Sequence, residues 1–218
     1  MYKDKNILIT GSSRGIGFQL AKYFLRLEAN VIGISRGKSK IIDINYKHYI
    51  INLADHNSII TCFKNEIGKD FKKIDIVINN AAVMTSQFSM IMPVKNAIDM
   101  VNINLLGTFF VSREASKFMR NKNFSRIINI SSMATSLEPA GDSIYAATKT
   151  AIATLANVMA KELSSLNITC NTIAITAIET DMLLSHSASA QIKIKQIINN
   201  LPIPRVAKID DITNVIDF

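Results

Sequence analysis

The segment Lys5-Asn6-Ile7-Leu8-Ile9-Thr10 runs into Gly11-Ser12-Ser13-Arg14-Gly15-Ile16-Gly17 and then into Phe18-Gln19-Leu20-Ala21-Lys22-Tyr23-Phe24-Leu25. An apolar run, a glycine-rich turn and an amphipathic stretch in immediate succession predict a strand, a loop and a helix. Glycines let the backbone turn tightly and approach an anion such as a pyrophosphate with no Cβ in the way. The helix N-terminus then offers unpaired N–H groups to that anion. The spacing is G-x-x-x-G-x-G, related to but distinct from the G-x-G-x-x-G dinucleotide fingerprint. A bare turn also uses glycines, but the flanking strand and helix patterns favour the anion-binding loop.

The same alternation continues along the chain. Apolar runs predict strands near 6–10, 30–35, 47–51, 74–78, 126–131 and 168–174, and helical periodicity covers 15–28, 56–69, 94–121, 145–164 and 188–199. Strands that are apolar almost throughout and alternate with helices imply a parallel α/β sheet covered on both faces. Ligands of such sheets sit beyond the carboxyl ends of the strands, where the glycine loop, Asn79-Asn80 and Ser132 all fall. With 218 residues, 48% of them hydrophobic, and no linker, repeat or low-complexity tract, residues 1–218 read as one domain.

Several function classes are excluded on composition. No apolar run approaches the roughly 18 residues of a membrane span, and the N-terminus enters its first strand without a signal-peptide pattern, so a cytoplasmic protein with no membrane partner is expected. Cys62 and Cys170 are too few for a disulfide framework and lie in apolar-periodic segments, as reduced core thiols do. His48, His56 and His186 are isolated from them and from one another, so no metal site is expected. The net charge of +8 is spread over lysines such as Lys38, Lys47, Lys64, Lys122 and Lys161 with no run longer than two, which argues for a solvated basic surface and no nucleic-acid partner. Such a surface favours anionic small molecules or an acidic carrier protein.

Tyr145 and Lys149 are four residues apart, with Ser132 thirteen residues upstream of the tyrosine. Four residues is one helical turn, so the two side chains share a face. A phenol has an ordinary pKa of about 10, and an ammonium held beside it favours the phenolate. Proton transfer to or from a hydroxyl then becomes practical. In isolation the pair also reads as an ordinary amphipathic couple.

Taken together, Thr10-Gly11-x-x-x-Gly15-Ile16-Gly17, Asn79-Asn80-Ala81-Ala82, an Asn in the following helix, Ser132 and Tyr145-x-x-x-Lys149 resemble, in family order over residues 6 to 182, the short-chain dehydrogenase/reductase family. Thr10 to Gly15 and Ile178-Glu179-Thr180-Asp181-Met182 resemble the 3-oxoacyl-acyl-carrier-protein reductases in particular. The resemblance implies a Rossmann-like doubly wound parallel sheet flanked by helices on both faces. It implies that Ser132 binds the substrate oxygen, that Tyr145 is the general acid in reduction, and that Lys149 binds the nicotinamide ribose and lowers the Tyr145 pKa. Asn104 matches the family Asn whose bulge holds a relay water, with its neighbour Asn102 ranked second. Ser131 is the rival of Ser132, and the family's thirteen-residue spacing selects Ser132.

The cofactor contacts implied are Gly11, Ser12, Ser13, Arg14, Gly15, Ile16 and Gly17 in the loop, then Ser35, Arg36, Asn52, Leu53, Asn80, Ala81, Ala82, Tyr145, Lys149, Ile178 and Thr180. Asn80 reads equally as a structural cap, and Thr180 as a plain helix N-cap. NAD sites place an acid about 20 residues beyond the loop to bind the ribose hydroxyls. Here Ile34-Ser35-Arg36-Gly37-Lys38 stands in that place, with no acid between Glu28 and Asp43. Arg14 and Arg36 suit a 2′-phosphate, so NADP(H) is favoured over NAD(H).

Two departures stand out. Family members carry Pro-Gly after the sixth strand, where this chain reads Ile175-Thr176, and they continue into a C-terminal seventh strand, which is missing here or belongs to a longer version of the chain. The leading function is NADPH-dependent reduction of a carbonyl on a small molecule or carrier protein, with a 3-oxoacyl thioester first, as in fatty acid biosynthesis. A keto-sugar or other small-carbonyl reductase and a catalytically inactive cofactor-binding regulatory protein are the alternatives. Phe109, Phe110, Val111, Ala115 and Phe118, with Ala151, Ile152, Leu155, Ala156, Val158, Met159 and Leu163, offer more apolar surface than one sheet contact buries. A homodimer is expected, with a homotetramer as the larger alternative.

Overall fold

A computed structural model describes residues 1–119, 125–176, 178 and 203–217. Six strands form one parallel sheet: β1 (Asn6–Thr10), β2 (Asn30–Ser35), β3 (Tyr46–Ile50), β4 (Ile76–Asn79), β5 (Ser125–Ser132) and β6 (Ile168–Ile175). Their order is β3-β2-β1-β4-β5-β6, so the winding reverses between β1 and β4. That switch point opens a crevice at the carboxyl ends of the two strands. The glycine loop leaves β1 on one side of it and Asn80 leaves β4 on the other.

The helices are α1 (Gly15–Arg26), α2 (His56–Cys62), α3 (Gly68–Asp70), α4 (Val94–Met100), α5 (Thr108–Met119), α6 (Ala134–Leu137), α7 (Ser143–Leu163) and α8 (Ile209–Asp217). Alternation along the strands divides the core between the two faces. Leu8, Ile32, Val77 and Ile127 pack with α2, α5 and α7 on one face, while Ile7, Ile9, Val31, Ile76 and Ile78 pack with α1 and α8 on the other. Asp217 ties α8 down by accepting from the hydroxyls of Tyr2 and Tyr23 at 2.7 and 2.5 Å. Cys62 and Cys170 are buried free thiols, and burial pushes them up to about 12 and about 11.

The continuous helices expected over 56–69 and 94–121 are each interrupted. Phe63–Ile67 and Val101–Gly107 form π-helical turns, which a 3.6-residue hydrophobic pattern does not reveal. Gly107 closes the second of these turns, and a Cβ there would stand 2.9 Å from the Leu53 Cβ, so glycine lets the two segments approach closely. At the start of α8 the Asp211 carboxylate accepts from the Lys208 N–H at 2.7 Å and pairs with Arg205. The helix expected over 188–199 lies outside the described residues. The apolar residues expected at a subunit contact divide: Val111, Ala115, Ile152, Ala156 and Met159 are buried within the one chain, while Val158 is exposed.

Candidate active site

The glycine loop has the shape an anion needs. Gly11 and Gly15 adopt φ of +73° and +58°, in the region that favours glycine. A Cβ on Gly17 would stand 2.4 Å from the Gly11 carbonyl oxygen, whereas one on Gly15 would meet nothing within 4 Å, so open space lies over that turn. Arg14 occupies the N-cap of α1 without a side-chain cap, and no acid lies in the first turn. The first-turn N–H groups and the helix dipole thus face an uncapped cradle that fits a phosphate.

Thr10, which opens the glycine motif but was given no role of its own, holds this loop to the next strand. It is 1% exposed, and its Oγ1 accepts from the N–H groups of both Asn80 and Ala81 at 3.0 Å. The Asn80 Nδ2 donates to the Thr10 carbonyl at 2.9 Å, so the Asn80 side chain works as a clamp across the crevice. Ser12 departs from the expected loop contact. Its side chain is fully buried and its Oγ lies 3.1 Å from the Tyr46 hydroxyl, while its N–H donates to the Ile34 carbonyl at 3.5 Å.

At the end of β2, Ser35 is buried and donates to the Gly37 carbonyl at 2.7 Å, while Arg36 is exposed. Neither Arg36 nor Arg14 forms an ion pair among the described residues. Asn52 closes its own turn by accepting from the Ala54 N–H at 3.2 Å. Leu53 turns inward against Gly107, so its side chain is part of the core rather than of the crevice wall. Ala81 and Ala82 continue the strand exit, half-buried and exposed.

Around Tyr145 the two serines separate. Ser131 is buried, its Oγ donating to the Lys149 carbonyl at 3.0 Å, so it serves to fasten β5 to α7. Ser132 Oγ accepts from the Ala134 N–H at 3.1 Å and keeps its own proton for another partner. Burial raises the Tyr145 pKa and the Asp142 charge adds to that, while the Ser132 hydroxyl lowers it. The expected lowering by Lys149 is not found. Lys149 is 3% exposed, its Nζ lies 5.9 Å from the Tyr145 ring centroid and donates to the Ile130 carbonyl at 2.8 Å, and burial brings it down to about 8.

Asn104 sits fully buried inside the π-helical turn. Its Oδ1 accepts from the Val83 N–H at 2.8 Å, and its Nδ2 donates to the Val83 carbonyl at 2.9 Å and to the Thr148 Oγ1 at 3.3 Å. The side chain therefore joins the chain leaving β4 to the helix that carries Tyr145 and Lys149. Asn102 is half-buried, and its carbonyl accepts from His56 at 3.3 Å. Ile178 is buried and bridges to Ala207, and Thr180 lies outside the described residues. Thr148 and the Val83 backbone, also missed in the sequence, carry no motif; only the inward turn of Asn104 brings them into the site.

A loop for a phosphate, an Asn clamp across the switch point and a Ser-Tyr-Lys set on one sheet edge are arrangements other proteins share. The family model described as short chain dehydrogenase matches residues 5–191. The chain belongs to that family. This short-chain dehydrogenase is 32% identical over 224 residues to the 3-oxoacyl-[acyl-carrier-protein] reductase of Haemophilus influenzae, covering 99% of this chain and 90% of the relative. It is 30% identical over 223 residues to the Escherichia coli protein of that name, covering 100% and 90%. Among solved structures, the ligand-free aldohexose dehydrogenase of Thermoplasma acidophilum superposes with a TM-score of 0.90 at 23% identity, covering 100% of this chain and 87% of the other. A Burkholderia cenocepacia short chain dehydrogenase in complex with NADP gives 0.88 at 23%, covering 100% and 90%. The chain is thus an oxidoreductase of the NAD(P)-dependent class that interconverts carbonyls and alcohols. Among the described residues no helix is long and apolar enough to cross a membrane, and no three His, Cys, Asp or Glu are grouped to hold a metal.

Proposed function

We propose that this enzyme reduces a carbonyl to a hydroxyl with NADPH, and that its substrate is a 3-oxoacyl thioester on a carrier. The observation that carries the reading is the convergence of Ser132 and Tyr145 at the carboxyl edge of the sheet, with Lys149 buried one helical turn behind. When bound, the cofactor supplies the hydride. Ser132 retains a hydroxyl proton with which to steady the oxygen that becomes negative. Tyr145, its pKa raised by burial, holds its proton at neutral pH and is suited to give it to that oxygen. Lys149 anchors Tyr145's helix to β5, within reach of the ribose side of the crevice.

Cofactor choice follows from Arg14 in the loop and Arg36 where an acid would select NAD, two guanidinium groups without an ion pair among the described residues. The acyl thioester is supported by the 28–34% identity to reductases of that name and by apolar side chains exposed beside the start of α7. Phe88 is 66% exposed in a segment tied to the turn before that helix by the Gln87 N–H, which donates to the Gly141 carbonyl at 2.8 Å. The test is NADPH oxidation with acetoacetyl thioesters, aldohexoses and simple ketones, in native protein and in Tyr145→Phe and Arg36→Asp. Turnover on the thioester should exceed that on the sugars and fall by orders of magnitude in Tyr145→Phe while NADPH still binds. Arg36→Asp should invert the cofactor preference. Near-native turnover of Tyr145→Phe would overturn the acid assignment, and preference for sugars would overturn the substrate.

A further inference from the structure

Beneath the turn that carries Arg36 runs a chain of polar side chains that no motif announced. Ser12 Oγ lies 3.1 Å from the Tyr46 hydroxyl, that hydroxyl lies 2.9 Å from His48 Nδ1, and His48 Nε2 lies 2.9 Å from the Gly37 carbonyl and 3.1 Å from Ser35 Oγ. A carbonyl only accepts, so His48 Nε2 carries a proton. In the neutral ring Nδ1 is then an acceptor, Tyr46 O–H donates to it, and the Tyr46 oxygen accepts from Ser12. Ser35 gives its own proton to the Gly37 carbonyl, so its oxygen and that carbonyl share the Nε2 proton, and the donor order runs from Ser12 through Tyr46 to His48 and on to the turn. The Tyr46 and His48 rings stack, with centroids 5.8 Å apart at 28°.

The backbone has been shaped to admit this chain. Tyr46 and His48 sit on β3, an edge strand, one residue apart on the same face. Between them and Ser12 lies Gly33 of β2, where a Cβ would stand 2.3 Å from the Tyr46 oxygen and 2.6 Å from Ser12 Oγ. Only glycine leaves room there for Tyr46 to cross over β2 and reach the loop. The two ends of the chain each abut an arginine in sequence: Ser12 lies two residues before Arg14, and Ser35 and Gly37 flank Arg36.

We propose that Tyr46 and His48 are positioning residues for cofactor discrimination: the brace they form sets the Arg36 turn against the Arg14 loop, and so shapes the subsite for a 2′-phosphomonoester on an adenosine ribose. The inference rests on the NADPH reading and adds the residues that make the two arginines act together. Neither side chain is needed to touch the phosphate. Loss of the brace leaves the pyrophosphate cradle of Gly11 to Gly17 intact and removes the preference built at its edge.

The experiment is calorimetric titration of the full chain with NADP⁺, NAD⁺ and 2′,5′-ADP, in native protein and in Tyr46→Phe, His48→Ala and His48→Gln. His48→Ala should weaken NADP⁺ and 2′,5′-ADP about tenfold, as loss of one or two hydrogen bonds does, and leave NAD⁺ within about twofold. Tyr46→Phe should show the same selectivity with a smaller loss, and His48→Gln, which keeps an N–H donor, should recover most of the affinity. Nitrogen chemical shifts of the native His48 ring should report the Nε2–H tautomer. Equal weakening of NADP⁺ and NAD⁺, or none in any variant, would overturn the brace while leaving the NADPH reading in place. Native protein with equal affinity for the two cofactors would overturn that reading and the brace with it.

Discussion

Replacing Lys149 with Met should make the protein more stable at neutral pH and nearly inactive. An unfolded lysine releases its proton near 10.5, whereas the folded Lys149 does so at about 8, from burial alone. Between those values the unfolded chain holds more protons, so stability rises with pH through that window, and below about 8 the full cost of burying the charge is present. At about 1.4 kcal/mol per pH unit the interval amounts to about 3 kcal/mol at pH 7. Methionine fills a similar volume but leaves the Ile130 carbonyl without the 2.8 Å hydrogen bond from Nζ, a loss of about 1–1.5 kcal/mol. The net gain is about 2 kcal/mol, or roughly 4–8 °C in Tm for a chain of this size. Urea denaturation of both proteins at steps from pH 7 to 10.5 measures it. The variant's advantage should shrink through the window and reverse near its upper end, where only the lost hydrogen bond remains. A variant less stable than the native protein at pH 7, or a difference independent of pH, would refute the reasoning.

Other positions test the scaffold around the site. Thr10→Val keeps the shape but orphans the N–H groups of Asn80 and Ala81, and should lower the unfolding free energy by about 2–4 kcal/mol; a change under about 0.5 would show that the clamp contributes nothing. Gly17→Ala places a Cβ 2.4 Å from a backbone oxygen that cannot swing away, so cofactor affinity should collapse, while Gly37→Ala, with nothing within 4 Å, should leave the fold unchanged; calorimetry and circular dichroism separate the two. Asn104→Ala should cut turnover and loosen the chain after β4, seen as faster hydrogen exchange at Val83, and unaltered exchange there would contradict its role as a link. In sedimentation at micromolar concentration a dimer should appear, since Ile98, Val101 and Val158 remain exposed on α4, the turn after it and α7; a purely monomeric species would reject it.

The sequence by itself determined what depends on near neighbours. Near-continuous apolar runs placed all six strands to within two residues at each end, most plainly β1, β2 and β4, which are buried nearly throughout and leave few polar positions to confuse. The glycine spacing predicted the turn at Gly11 and Gly15, since positive φ is a local requirement that few other residues meet. The four-residue interval of Tyr145 and Lys149 put them on one helix face for the same reason. Tertiary structure decided everything that depends on segments far apart in the chain. The π-helical turn around Asn104 ends at Gly107 against Leu53, a contact across half a hundred residues that no local periodicity carries. Ser12 was expected at the ligand and turns inward because Gly33, on another strand, makes room for Tyr46 to meet it. Lys149 was expected to tune a phenol through its charge. Its deep burial beneath β5 instead brings down its own pKa, because the desolvation of an ammonium is set by the walls that three-dimensional packing builds around it, and a sequence records the group without its surroundings.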